Sequence, residues 1–180
     1  CSTCHDPHGS PNPDNLRVVG DFTLPSGVVA DDPGKGGTCV RCHNSRVSNP
    51  ETSINSSRGA HYGTAGDVIA GAGASTFGLP VLGTSAHTTL VEDSCVTCHM
   101  ADTPAGEPGV GGHTYRIRDT RGTTTTADDF VNADNACGAC HNELTTSVDR
   151  DARGDYDGDG LTEGIQTEFD GLSTLIFNKF

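Results

Sequence analysis

The chain has 180 residues and a formal net charge of −13, with Lys35 and Lys179 its only lysines. That acidic balance excludes a nucleic-acid or anionic-membrane binder. Only 33% of the residues are hydrophobic, with six phenylalanines, three tyrosines and no tryptophan against 24 glycines, so the polypeptide alone is too poor in apolar side chains for a conventional core.

CSTCH opens the chain as Cys1, Cys4 and His5. Two thiols at this spacing add covalently to the vinyl groups of a haem, and the histidine after the second reaches the iron. His8 follows close behind. It lies too near His5 to swing to the far face of the same haem, so as a ligand it would serve another iron. The turn-rich stretches GSPNPDN and DDPGKGG then lead to a second copy, CVRCH, at Cys39, Cys42 and His43.

Beyond it, SNPETSINSSRG, His61 and the Gly/Ala/Thr-rich run YGTAGDVIAGAGASTFGLPVLGTS carry turn chemistry, and continuous helix or sheet is not expected there. His87 precedes a third copy, CVTCH, at Cys95, Cys98 and His99, which is followed by Met100. His113 lies in GGHTY, and residues 113 to 119, HTYRIRD, read as a short strand. The fourth copy is CGACH at Cys137, Cys140 and His141.

Every cysteine of the chain is used by these motifs. A disulfide scaffold gives no reason for a histidine after each second cysteine, and a zinc Cys4 site needs none. Thioredoxin-like chemistry would want one motif beside a βαβ unit. Covalent haem accounts for all four copies, and the cofactors would then form the core that the side chains cannot. The expected fold is mostly irregular coil with few short helices and little strand, a single tetrahaem domain over residues 1–180 wrapped round a closely stacked haem chain.

Iron ligands can be counted. His5, His43, His99 and His141 are the proximal set, and four histidines remain, His8, His61, His87 and His113. The tally permits bis-histidine coordination at every iron, with the pairing open. Against it stand ordinary surface histidines, and Met100 serving some haem other than that of its neighbour His99. Saturated iron offers no vacancy to a substrate, so electron transfer rather than catalysis is expected. Haem is attached to such motifs outside the cytoplasm, so an extracellular or periplasmic location is expected, in a processed or partial chain.

Near the C-terminus, DYDGDGLTEGIQ sets Asp155, Asp157 and Asp159 at positions one, three and five of an EF-hand-like loop. The Leu161 carbonyl, Glu163 and Gln166 fall at seven, nine and twelve; a bidentate glutamate is wanted at twelve, and Glu168 lies two residues late. The readings are a Ca2+ site and a solvated acidic turn. Ile165, Phe169, Leu172, Leu175 and Ile176 recur at helical spacing, with Phe177 and Phe180 beyond. This acidic loop and helix, about 149–180, would cap the chain's own haems or pack on a partner subunit.

The run CxxCHDPHGS, the CxxCHM followed by GGHTY, and the CxxCHN leading to DYDGDGLTEGIQTEFDGL resemble extracellular multihaem cytochromes of metal-respiring microbes. The resemblance is greatest to tetrahaem subunits of cytochrome nanowires of the OmcE type. It implies a coil-rich fold, self-association into a filament with a continuous haem chain, and a histidine of one subunit ligating a haem of the next. His8 would take that role, an internal haem being the other choice. Redox proteins or an extracellular acceptor would be the partners. The alternatives are a monomeric periplasmic or secreted tetrahaem shuttle and a multihaem reductase with one open iron.

Overall fold

The computed structural model describes residues 1–48, 63–72, 83–123, 129–144 and 147–179. His61 and Phe180 lie outside these described residues, as does most of SNPETSINSSRG. The chain is mostly irregular, with short helices and two-residue strands. It gathers into two compact units, Cys1–Thr97 and Cys98–Phe180.

In the first unit, strands β1 (Phe22–Thr23) and β2 (Val29–Ala30) pair antiparallel, Phe22 opposite Ala30. A turn closed by the Leu24 amide on the Val28 carbonyl joins them. Leu24 and Ala30 pack with Val40 of helix α1 (Gly37–Val40) and with Ala70, which ends helix α2 (Ala65–Ile69). That four-residue cluster is small, and its largest members are one leucine and one valine.

Helix α2 is a short helix in the run where no continuous helix was expected, and tertiary contact explains it. A Cβ at Gly66 would stand 2.9 Å from both the Val40 side chain and the His43 carbonyl. Only glycine admits this approach, and the Gly66 amide uses it to donate to the His43 carbonyl at 2.7 Å. Buried Asp67 then receives the Ser45 amide and hydroxyl, at 2.7 and 3.0 Å. Two further short helices follow, α3 (Ala86–Leu90) and α4 (Cys95–His99).

In the second unit, β3 (Arg118–Asp119) pairs antiparallel with β4 (Phe130–Val131). The strand expected over 113 to 119 is therefore only its last two residues. Its first part is a 3-10 turn, Gly112–Thr114, held where the Gly111 amide bonds the Arg116 carbonyl and the Gly112 amide bonds the Ala101 carbonyl. Gly111 has φ 71° and no room for a Cβ, which would meet the Ala101 carbonyl at 2.4 Å. Helix α5 (Ala133–Cys137) starts the fourth motif, and buried Ala133 and Ala136 lie on it.

Helix α6 (Ile165–Phe177) is the long element anticipated from periodicity. Its start is capped from a distance: Asp149 accepts the Gln166 amide at 2.7 Å and the Thr167 hydroxyl at 2.6 Å. The apolar stripe faces outward on the polypeptide, Phe169 being 66% and Phe177 78% exposed. Among the described residues, no helix is long and apolar enough to cross a membrane.

Candidate functional site

The four motifs adopt one geometry. In the first, the Cys1 carbonyl accepts the amides of Cys4 at 3.2 Å and His5 at 2.9 Å. The Cys39 carbonyl does the same for Cys42 and His43, at 3.0 and 2.8 Å, and the Cys137 carbonyl for Cys140 and His141, at 3.1 and 2.8 Å. The third motif is the helix α4 itself. One helical turn puts residues i and i+3 on the same face, so both thiols point together and the imidazole follows at i+4. No cysteine forms a disulfide, and all eight are partly or fully exposed. Among the described residues, the cysteines and histidines nowhere gather into a metal-binding group.

Three of the proximal imidazoles have a partner at Nδ1. His5 Nδ1 lies 2.7 Å from the Asp14 main-chain oxygen, and His99 Nδ1 lies 3.1 Å from that of Tyr115. A carbonyl oxygen only accepts, so each Nδ1 carries the proton and each Nε2 presents its lone pair, the tautomer an iron ligand needs. Asp14 has φ 55° and Tyr115 φ 57°. In both cases a left-handed residue turns a carbonyl inward. His141 Nδ1 lies 3.7 Å from Glu143, whose carboxylate also binds Arg150 at 2.7 Å. The Arg150 hydrogen bond holds that carboxyl below its ordinary range.

Asp14 and Tyr115 were missed as functional positions in the sequence, because they act through the main chain. The only cue was indirect, a turn-rich stretch after each histidine. The thiols, none of them in a disulfide, and the engaged Nδ1 atoms fit haem c: Cys1 and Cys4, Cys39 and Cys42, Cys95 and Cys98, and Cys137 and Cys140 would form the thioethers, and His5, His43, His99 and His141 would bind iron. Burial pushes the Cys137 thiol up from its usual value.

The remaining histidines are exposed where described. The His8 amide donates to Asp6 at 3.0 Å. His87 is in α3, and His113 sits on the 3-10 turn with its ring 6.0 Å from that of Tyr115. The GGHTY turn thus serves two ends: its Tyr115 carbonyl fixes His99, and it displays His113.

The acidic loop is folded as a nest of carboxylate-to-amide bonds. Asp155, Asp157 and Asp159 bring one oxygen each within 4.8 Å of the others. Asp155 accepts the amides of Gly158 and Gly160, Asp157 that of Asp159, and Asp159 that of Leu161. Gln166, expected at position twelve, instead donates its side-chain amide to the Val148 carbonyl. The glutamate that closes the loop is Glu168, buried, with its carboxylate taking the amides of Tyr156, Asp157 and Glu163. Those amides, Glu163 first, hold its carboxyl below the ordinary range. Glu163 shifts upward, through desolvation and then the charges of Asp159, Glu168 and Asp157.

A family model for the doubled CXXCH motif matches residues 1–23. No curated protein and no solved structure matches the chain. The CXXCH motifs indicate haem c binding and, with it, electron transfer, and the N-terminal match points to a multihaem c-type cytochrome.

Proposed function

We propose that the chain is a tetrahaem electron carrier that associates with its own copies into an extracellular conductive filament. The observation that carries the haem count is the repetition of one helical turn four times, each with two cysteines outside any disulfide and a following histidine. When bound, haem supplies a one-electron ferric/ferrous couple. The thiols fix each group covalently, and the main-chain carbonyls of Asp14 and Tyr115 fix two of the imidazoles. His8, His61, His87 and His113 complete the bis-histidine count, which leaves no position for a substrate and makes the protein a conductor rather than an enzyme.

The filament reading rests on the resemblance of the motifs to nanowire subunits. It is also served by the exposed His8 and by the outward apolar stripe of α6. Asp155, Asp157 and Asp159 would take a calcium ion, whose role would be to brace the loop against α6.

Negative-stain microscopy of native material tests the assembly. Polymers are expected, and uniformly monomeric particles would favour a soluble shuttle. Carbon monoxide added to the reduced protein tests the coordination. An unchanged spectrum is expected, whereas a shifted Soret band would reveal an open iron and favour a reductase.

A further inference from the structure

The segments leading to the second and third motifs are fastened to each other. The Lys35 amide donates to Asp93 at 2.8 Å, and Lys35 Nζ lies 3.6 Å from the same carboxylate and 3.0 Å from that of Asp14. Gly36 is buried, and a Cβ on it would stand 2.8 Å from the Asp93 carbonyl and 3.1 Å from the Cys95 amide nitrogen. Backbone therefore lies on backbone at Gly36 and Cys95. Cys39 is three residues further along the same helical stretch, so it shares the face of Gly36 that Cys95 touches. The neighbouring Cys95 side chain first, then burial, pushes the Cys39 thiol up from its usual value.

We propose that the second and third haems are direct neighbours, meeting at the edges that carry the Cys39 and Cys95 sulfurs, with Lys35 and Asp93 as the clasp between their attachment segments. The inference rests on the tetrahaem reading and adds an order to it. A thioether bond leaves each sulfur where its cysteine holds it, so adjacent sulfurs bring adjacent porphyrin edges. Haems held there would supply one-electron exchange between a ferrous and a ferric member, with no bond made or broken and no other reactant.

A cryo-EM map of the wild-type holoprotein tests the pairing. It should show the irons of His43 and His99 as adjacent members of the haem chain, with the Cys39 and Cys95 sulfurs in contact. Another haem standing between those irons, or sulfurs facing apart, would overturn it. Four haems in a different order would defeat only the pairing, whereas fewer than four would defeat the reading beneath it. A His43→Met variant supplies a second readout by NMR-resolved redox titration. Raising the potential of the second haem should move the midpoint of the third more than that of the first or fourth, and a larger response at the fourth would contradict the assignment.

Discussion

The His5 ring donates from Nδ1 to the main-chain oxygen of Asp14 at 2.7 Å, and Asp14 reaches that position with φ at 55°. The same relation, at 3.1 Å, joins His99 to Tyr115 with φ at 57°. Two motifs far apart in the chain thus orient their imidazoles by one device. A left-handed residue turns its carbonyl towards the histidine of the preceding CxxCH.

Asp14→Val should damage this device specifically. A β-branched residue is strained in the left-handed region, at a cost of about 1–2 kcal/mol. A carbonyl that turns away leaves the imidazole a weaker donor, which raises the potential of the iron it serves. A redox titration should show one of the four couples displaced upward. Asp14→Gly, which accepts the same φ without strain, should leave that couple close to its native value. Equal displacement in both variants would show that the carbonyl does not matter.

Gly66→Val should destabilise the first unit by about 1–3 kcal/mol, because the new side chain has no room beside Val40. Its Cβ alone would lie 2.9 Å from that side chain and from the His43 carbonyl. Gly154→Ala is the control, since a Cβ there meets nothing within 4 Å. Thermal melts of the two variants should separate clearly, and equal melting temperatures would count against the packing of α2 on the second motif.

These two predictions also mark what the sequence makes legible. Cysteine spacing specifies the four turns, because their chemistry lies in side chains that cannot be exchanged. The periodicity of Ile165, Phe169, Leu172 and Ile176 likewise announces α6, among the described residues the one element long enough to show a period. Asp14 and Tyr115 act through carbonyls that every residue possesses, so no residue type announces them. Helix α2 exists through the contact of Gly66 with Val40 and His43, a relation across more than twenty residues that local propensity does not contain. At the acidic loop, a fixed twelve-residue template selected Gln166. Both Gln166 and Glu168 lie in α6, and it is Glu168, two residues further along, whose carboxylate turns back to the loop.

Acid should loosen the C-terminal helix in a defined order. Glu168 and Asp149 have carboxyls held below their ordinary range, Glu168 by backbone amides and Asp149 first by the Thr167 hydroxyl. A depressed native pKa contributes stability that is complete above the unfolded value and is lost as pH falls through the folded one. Glu163 works in the opposite sense: its raised pKa means that protonation relieves repulsion before the other two titrate. Far-UV circular dichroism should hold steady or improve slightly through the ordinary carboxylate range, then fall below it. Glu168→Gln should remove most of that acid limb. An acid limb unchanged in the variant would show that another group controls it.

Chelation should distinguish a cation loop from a solvated turn. With calcium bound, EDTA should lower the melting temperature of the native protein and leave the Asp155→Asn/Asp157→Asn/Asp159→Asn variant unaffected, read by calorimetry with and without added Ca2+. The same shift in both proteins would place the effect elsewhere.

The most direct test of the whole account is the intact mass of the purified holoprotein under denaturing conditions, where only covalently attached groups remain. Four CxxCH motifs predict a chain heavier by four haems, and replacing both cysteines of any one motif by serine should remove one of them. A native mass with fewer than four haems, or eight cysteines recovered as free thiols or disulfides, would contradict it.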